Sequence, residues 1–297
     1  MKLFKLLAVG AFLSFAASSA FAQFGPPEGT TGAGQNYSDA DQTGAGSTAD
    51  VVQASGFAGD NRNDSFIDQI SVGVGTQSTT VIQGGNNTVK NYSYVDQSGT
   101  GKNTATVTQG GFADVGKTNR SDIRQTGTGN NNLVAVTQTG SGASNTSYVR
   151  DQAGTGDNSI GITQNGLGNT NHSDIVLQSG QNNSITVNQG ATSTGSFNSS
   201  LITEQSGTGG LNNISVTQFG DGVVNDSTIA QRGDGGGINS IVIAQEGAAG
   251  TSNASFVDQE GASNSISVEQ GVPGLGGITS SSTVNQLGTN SATVTQQ

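Results

Sequence analysis

The sequence has 297 residues, of which 47 are glycine and none is cysteine, and its 21 acidic residues outnumber its 10 lysines and arginines to give a net charge of −11. This acidic balance argues against nucleic acid and anionic membranes as partners, and the lack of cysteine excludes a disulfide scaffold. Charged residues make up 10% of the chain, against about 25% in ordinary domains, so an ordered core would have to depend on regularly spaced uncharged residues.

The first 22 residues have the pattern of a secretory signal peptide. Lys2 and Lys5 form a basic start, residues 6–18 are apolar, and residues 20–22 (AFA) form a small-x-small cleavage site. The apolar run is too short to span a bilayer securely, so we expect no membrane insertion. The prediction is a secreted, extracellular chain, with residues 23–35 as a flexible tail that lacks the pattern found further on.

From residue 36 to residue 297 the chain repeats itself about every 27 residues, the signature of a repeat architecture. Each repeat holds two alternating stretches that close on glutamine, with glycine-rich connections between them. The first stretches close on Gln42, Gln69, Gln97, Gln125, Gln152, Gln178, Gln205, Gln231, Gln259 and Gln286. The second stretches close on Gln53, Gln83, Gln109, Gln138, Gln164, Gln189, Gln218, Gln245, Gln270 and Gln296. We therefore expect one domain of ten repeats over residues 36–297.

Within each stretch the residues alternate with a period of two, which predicts β-strands. Residues 103–109 (NTATVTQ) and 290–296 (NSATVTQ) show the constrained set of positions: asparagine, a small or apolar residue, valine or isoleucine, then glutamine. In the first stretches a serine follows at the second constrained position, beginning with Ser38. The predicted inward asparagines are Asn36, Asn63, Asn91, Asn103, Asn119, Asn132, Asn145, Asn158, Asn171, Asn183, Asn198, Asn212, Asn225, Asn239, Asn253, Asn264 and Asn290.

Repeats 5, 6 and 7 each contain one extra residue before the glutamine of the first stretch, in residues 145–152 (NTSYVRDQ), 171–178 (NHSDIVLQ) and 198–205 (NSSLITEQ). One insertion at one place in three successive repeats is what coils lying on each other would require. We interpret the three insertions as stacked β-bulges.

The repeat predicts an all-β, two-sheet β-solenoid of about ten strand-turn-strand coils, with a cross-β, amyloid-like stacking of coils. A buried amide without partners costs roughly 2–7 kcal/mol. In stacked coils, however, each asparagine or glutamine meets its equivalent above and below, as in the amide ladders of cross-β structures. We expect these ladders to form the assembly core.

The sequence ends at Gln296 and Gln297, directly on a ladder position. Monomeric solenoids usually have atypical capping repeats, and neither the first nor the last repeat departs far from the pattern. We therefore expect both end coils to offer open strand edges to another copy of the chain.

The repeats resemble those of the curlin family, the subunits of curli-type functional amyloid, whose motif is Ser-x5-Gln-x-Gly-x2-Asn-x-Ala-x3-Gln. Residues 259–270 (QEGASNSISVEQ) are similar to its second half, with Ile266 in the alanine place, and residues 280–286 match its opening. The closing portion is matched by residues 103–109 and 290–296. The resemblance covers about residues 36–297.

What the resemblance implies is a secreted homopolymer that forms adhesive fibres of a biofilm matrix on a Gram-negative-type bacterium. It also implies two partners, a nucleator subunit and an outer-membrane secretion pore that recognises an N-terminal tail such as residues 23–35. The chain departs from the family pattern in its longer turns, its ten repeats, and its asparagine in place of the opening serine in nine of them. These departures bear on which kind of subunit the chain is.

Other classes of function have weaker sequence support. We expect no enzyme, cofactor or metal site, because the single histidine, His172, lies at an outward position and the aspartates of the glycine-rich turns do not recur at fixed places. An ice-binding protein needs a regular outward Thr-x-Thr array, which Leu133, Gly161, Val242 and Glu269 would interrupt. A monomeric β-solenoid adhesin is the other alternative.

Overall fold

The computed structural model describes residues 35–55, 62–72, 75–85, 90–110, 118–127, 131–140, 143–190, 195–208, 210–234, 237–271 and 279–297. The predicted signal peptide (1–22) and, except for its last residue, the predicted tail (23–35) lie outside the described residues. The described chain is all-β and forms a two-sheet β-solenoid, as the repeat pattern predicts.

Two ten-stranded sheets contain the twenty strands, with odd-numbered strands in sheet A and even-numbered strands in sheet B. Sheet A consists of β1 (Gln35–Thr43), β3 (Arg62–Ser71), β5 (Lys90–Gly99), β7 (Thr118–Gln125), β9 (Ser144–Gln152), β11 (Thr170–Ile175), β13 (Phe197–Thr208), β15 (Val224–Asp234), β17 (Ser252–Glu260) and β19 (Thr279–Leu287). Sheet B consists of β2 (Thr48–Ser55), β4 (Gln77–Gly85), β6 (Asn103–Gln109), β8 (Asn132–Gln138), β10 (Asn158–Gln164), β12 (Asn183–Gly190), β14 (Leu211–Gly220), β16 (Ile238–Gly247), β18 (Ser265–Gln270) and β20 (Ser291–Gln296).

One strand of each sheet makes up a coil, so that coil 1 is β1 and β2 and coil 10 is β19 and β20. Within each sheet every strand pairs in parallel with the equivalent strand of the next coil. Equivalent residues of the repeats lie side by side, as in the pairs Ser38–Ser65 and Gln42–Gln69.

The apolar core lies between the two sheets, in the middle of each coil. Valine and isoleucine from the constrained positions fill it, and because successive residues of a strand point to opposite faces, their neighbours in sequence point to solvent. Burying a side chain of this size fully contributes about 1.5–3 kcal/mol. The core includes Ile67, Val95, Ile123, Val149, Ile175, Ile202, Ile229 and Val257 of sheet A, and Val81, Val107, Val136, Ile162, Val187, Val216, Ile243 and Val268 of sheet B.

The predicted bulge of coil 7 is confirmed by its register against coil 8. Ile202 pairs with Ile229, but the next pair joins Glu204 to Ala230, which leaves Thr203 as the extra residue of β13.

Coils 5 and 6 contain the same irregularity at the same place. Strand β9 has one residue more than β7 before Gln152 returns to register with Gln125. In coil 6 strand β11 ends at Ile175, and Gln178 then forms parallel bridges to Gln152 and Gln205. The three bulges therefore stack on one another, which keeps the glutamines in line.

Tight turns between strands depend on glycine where coils approach each other most closely. Gly110 has a φ of 84°, a value that side chains other than glycine rarely adopt. A Cβ at this position would also overlap the carbonyl oxygen of Gly84 in the coil below. Glycine is therefore needed here both for conformation and for the close stacking of turns.

Candidate assembly site

The predicted inward asparagines and glutamines lie between the sheets, where each stacks on its equivalents in the neighbouring coils. In coils 2 to 9 they are buried, with at most 2% of the residue exposed. Asn36, Gln42, Gln53 and Gln296 of the end coils are half-buried, whereas Asn290 is exposed. The exposure rises at the ends because those coils have a neighbour on one side only among the described strands.

Two glutamine ladders run the length of the solenoid with one polarity. In sheet A each Nε2 donates to the Oε1 of the next glutamine toward the C terminus, from Gln42 to Gln286, at 2.6–3.2 Å. The sheet B ladder runs the same way from Gln53 to Gln296, at 2.8–2.9 Å. Each ladder therefore has a donor end at coil 10 and an acceptor end at coil 1.

The sheet B glutamines also join the two sheets within a coil. Each Nε2 donates across the interior to the backbone carbonyl of the residue between asparagine and serine in sheet A, from Gln53 to Tyr37 O in coil 1 through Gln296 to Ser281 O in coil 10, at 2.7–2.9 Å. Both hydrogens of the amide thus have a partner, which removes the cost of burying it.

The sheet A glutamines reach the preceding coil, and some also bond their own coil, as Gln125 does with Asn132 O at 3.2 Å and Gln205 with Asn212 O at 3.0 Å. Gln69 of coil 2 donates to Thr48 O of coil 1 at 3.1 Å, and the same contact recurs at 3.0–3.5 Å up to Gln259 of coil 9. Each of these amides therefore ties three coils together: its own, the preceding coil through the carbonyl, and the following coil through the ladder.

The asparagine ladder of sheet A has the opposite polarity. Each Nδ2 donates to the Oδ1 of the preceding coil, from Asn63 to Asn36 through Asn253 to Asn225, at 2.7–2.9 Å. Several of these amides also bond the carbonyl of the residue that follows the sheet B glutamine of the preceding coil, as Asn91 does with Gly84 O at 3.0 Å. Asparagine therefore also holds the end of the sheet B strand in the preceding coil.

In sheet B the asparagine ladder is less regular. Four of its steps are amide to amide, from Asn132, Asn158, Asn212 and Asn239 to the preceding asparagine, at 2.8–3.1 Å. At Asn183, Asn264 and Asn290 the backbone N–H makes the contact to the preceding Oδ1, while their Nδ2 groups bond the carbonyl of the residue that follows the sheet A glutamine of the same coil.

Sequence reasoning missed some residues that the structure places in the ladders. Gln77 takes the asparagine position of β4, in register with Asn103, and is buried. Thr79 accepts from Gln69 at 3.0 Å and donates to Gln97 Oε1 at 2.9 Å. Gln77 could have been found by its offset from Gln83, which equals that of Asn103 from Gln109. The bridging role of the Thr79 hydroxyl had no sequence signal.

The inward serines of sheet A are buried but do not form a hydrogen-bonded ladder. The hydroxyls of Ser65, Ser93, Ser121, Ser147, Ser173, Ser200 and Ser282 have no hydrogen-bond partner in the structure. Ser227 and Ser255 lie 3.4 Å from the Nε2 atoms of Gln218 and Gln245, and Ser38 of coil 1 is half-buried. Serine therefore differs from the amides: it is a small inward residue beside the cross-sheet glutamines.

The outer face of sheet A, here called face A, contains most of the charge near the sheets. Its charged residues at outward strand positions are Asp39, Asp41, Arg62, Asp64, Asp68, Lys90, Asp96, Arg120, Asp122, Arg124, Arg150, Asp151, Asp174, Glu204, Asp226, Arg232, Asp258 and Glu260.

Ion pairs on face A join successive coils. Arg150 pairs with Asp174 at 2.6 Å, and Arg232 lies between Glu204 at 2.9 Å and Asp258 at 2.8 Å. Because the arginines are substantially exposed, each pair contributes little, on the order of 0–1 kcal/mol.

Three aspartates of face A stack in register in coils 1 to 3, namely Asp41, Asp68 and Asp96. Partial burial raises the pKa of Asp96 above its ordinary value of 3.8, and the Asp68 carboxylate raises it further, whereas Arg124 acts in the opposite direction. Burial and the same two carboxylates also raise the pKa of Tyr94. The folded sheet therefore makes the ionised form of Asp96 less favourable than it is in water.

A stripe of rings and guanidinium groups also runs along face A. Ring centroids of Tyr37 and Phe66 lie 5.3 Å apart, and those of Phe66 and Tyr92 5.8 Å apart. Arg120 then lies 5.0 Å from the Tyr92 ring and 5.6 Å from the Tyr148 ring. Cross-strand contacts of these kinds stabilise a sheet by about 0.2–1 kcal/mol each.

His172 is half-buried on face A, with its ring 5.8 Å from that of Tyr148. No group of three or more histidine, cysteine, aspartate or glutamate side chains that could hold a metal ion occurs within the described ranges. Where the structure describes the chain, it has no helix of the length and apolar character needed to cross a membrane.

The outward threonines of the ice-binding alternative lie on the outer face of sheet B. Leu133, Gly161, Val242 and Glu269 occupy outward positions of the same face, so they interrupt the array as the sequence indicated.

Comparisons of the chain with protein-family models, with curated proteins and with solved structures returned no match.

Proposed function

We propose that the chain is a secreted structural subunit that assembles end to end into curli-like amyloid fibres of an extracellular matrix, where the fibres serve biofilm formation and surface adhesion. The observation that carries the proposal is the polarity of the amide ladders. A single chain already has the strand stacking of a cross-β fibre, and both of its glutamine ladders run in the same direction.

The glutamine ladders make the two ends of the solenoid complementary. At coil 10, Gln286 and Gln296 present the donor ends of the ladders, and at coil 1 Gln42 and Gln53 present the acceptor ends. A second copy placed with its coil 1 on coil 10 continues both ladders without a change of polarity. Two coil 1 ends, placed together, would set acceptor against acceptor.

Gln42 supplies a second reason for this arrangement. Sheet A glutamines from Gln69 to Gln259 donate to a sheet B carbonyl of the preceding coil, and Gln42 has no preceding coil among the described residues. In an end-to-end stack the carbonyl of Ser291 in coil 10 of the next copy occupies the equivalent position. The stack would thus complete the hydrogen bonding of Gln42.

Charge favours the same end-to-end order. Coil 1 has Asp39, Asp41 and Asp50 at its outward positions, so two coil 1 ends would bring six carboxylates together, and like charges on adjacent strands are destabilising. The outward positions of coil 10 are occupied by serine, threonine, asparagine and leucine, none of which is charged. Coil 1 stacked on coil 10 avoids the repulsion.

Export and its partners belong to the same proposal. The signal pattern of residues 1–22, the tail of residues 23–35 and the curlin-like repeats support secretion through an outer-membrane pore and growth from a nucleator subunit.

The test is assembly of the purified chain, followed by thioflavin T fluorescence and electron microscopy. We expect fibres from the wild-type chain. We expect Gln296→Ala to slow their growth several-fold, because it removes the donor end of the sheet B ladder, and Thr293→Ala in the same strand to have little effect. A wild-type chain that stays monomeric would favour the adhesin alternative, and equal effects of the two variants would contradict the role of the ladders.

A further inference from the structure

The outer face of sheet B, here called face B, has a chemistry that the end-to-end stack does not use. Between the asparagine and glutamine positions of its strands, the charged outward residues are Asp50 and Glu269, which lie in coils 1 and 9. In the coils between them, the charged residue at an outward strand position of this face is Glu246, which follows the glutamine of β16 in coil 8. Face A, by contrast, has charged residues in nearly every coil.

Small side chains make face B even across its centre. The outward residues of coils 3 to 7 are mostly serine, threonine and alanine, and nearly all are half-buried by their neighbours in the sheet. Gly161 in the middle of coil 5 has open space where a Cβ would point. In-register rows of short β-branched and hydroxyl side chains are suited to a dry, interdigitated contact between sheets.

The area of face B is sufficient for a stable contact. Ten strands spaced by about 4.8 Å, each with about 23 Å of alternating residues, give a face of about 1,100 Å². Two such faces together would bury about 2,200 Å², which exceeds the roughly 1,600 Å² of a standard protein interface.

We propose that face B is the lateral contact between two filaments of this chain, each filament covering the other's face B. The proposal rests on the end-to-end filament proposed above. The distribution of charge favours this pairing over the other two. Contact between two A faces would bring their acidic residues together, and contact of face A with face B would bury charged residues opposite uncharged ones. Pairing through face B leaves both charged faces in water, on opposite sides of a chain whose net charge is −11.

The experiment compares mass per length of fibres by scanning transmission electron microscopy. Thr163→Lys with Thr217→Lys puts two charges on face B, and the matched control, Thr146→Lys with Thr228→Lys, puts two on face A. We expect wild-type and control fibres to have twice the mass per length of fibres from the face B variant. A wild-type value equal to that of one filament, or a face B variant that keeps the doubled value, would overturn the proposal.

If the face B lysine variant does not fold, a cross-linking measurement tests the same lateral contact. The chain has no cysteine, and one position recurs along a filament only every ten coils, or about 48 Å. A thiol at Thr186→Cys in face B can therefore be joined to another by a short bismaleimide only between paired filaments, and Thr228→Cys in face A is the control. We expect cross-linked dimers from fibres of the first variant alone. Equal yields, or no dimers from either, would overturn lateral pairing.

If the wild-type chain forms no fibres at all, the proposed function itself is wrong and lateral pairing is wrong with it. Single wild-type filaments would overturn the lateral pairing alone.

Discussion

Each buried glutamine of sheet B uses its side chain in three hydrogen bonds. Gln138 is typical: its Oε1 accepts from Gln109, and its Nε2 donates to Gln164 and to the carbonyl of Arg120, each at 2.8 Å. A net hydrogen bond contributes only about 0.5–1.5 kcal/mol, whereas a buried group left without its partner costs about 1–3 kcal/mol. Removing one glutamine from the ladder therefore also removes hydrogen bonds from the glutamines on either side of it.

This asymmetry predicts a large effect of Gln138→Ala. The variant removes the hydrogen bonds to Arg120 O and Gln164 Oε1 in a buried setting, so we expect a loss of about 2–4 kcal/mol in the free energy of unfolding. The outward neighbour gives the control, because Thr137→Ala changes a half-buried surface position and should cost below about 1 kcal/mol. Urea denaturation followed by circular dichroism measures both, and similar costs would contradict the buried ladder.

The aspartate column predicts a pH dependence with a definite sign. Burial and Asp68 raise the pKa of Asp96 in the folded chain, so the folded state binds this proton more tightly than the unfolded state. Ionised Asp96 then costs stability above its folded-state pKa, and the cost is removed as the pH falls below the ordinary value of 3.8. We expect Asp96→Asn to be more stable than wild type at neutral pH, since the exposed contact with Arg124, at 3.8 Å, contributes little.

The same denaturation experiment, repeated from neutral pH down to the ordinary aspartate value, tests this expectation. The advantage of Asp96→Asn should shrink as the pH falls through the window that lies above 3.8. An advantage that stays constant or grows toward acid would show that Asp96 is not the destabilised carboxyl.

At the scale of the strand, the stacking of coils requires that neighbouring coils have their bulges at the same position. The bulges of coils 5, 6 and 7 occur at one place, so the glutamines after them stay in register. A slip of one residue turns the inward set of a strand to the other face. A bulge is therefore tolerated when its neighbours share it.

This constraint predicts an unusual pattern of deletion effects. Removing Val176 alone straightens coil 6 between two bulged coils and should lower the unfolding midpoint strongly. Removing Arg150, Val176 and Thr203 together straightens all three coils, and we expect the triple deletion to be less destabilising than the single one. Thermal unfolding followed by circular dichroism makes the comparison, and costs that simply add would contradict the stacked register.

The same periodicity explains which features of this structure could be predicted from the sequence. Alternation indicated strands and their inward faces, and the extra residues before Gln152, Gln178 and Gln205 indicated the bulges, because both are local patterns repeated many times. The polarity of the ladders had no sequence signal, since an amide can donate in either direction until its second hydrogen is placed against a carbonyl of the other sheet. The ring and guanidinium stripe of face A was likewise missed, because its members alternate between two outward columns.

For the whole molecule, the two ends and the two faces have different chemistry. The ends differ in ladder polarity and in charge, which supports growth with a single direction. The faces differ in charge, which supports pairing through face B and exposure of face A. An isologous contact at the ends would stop growth at a dimer, whereas a head-to-tail contact that does not close continues as a filament.

Cryo-electron microscopy of the assembled fibres tests the central claim most directly. We expect filaments in which strands repeat about every 4.8 Å and whole chains about every 48 Å, with coil 10 of one copy on coil 1 of the next. Gln286 should then lie against Gln42, and Gln296 against Gln53, so that both ladders pass through the junction unbroken. Fibres in which two coil 1 ends meet, or in which the amides at the junction face solvent, would contradict the account.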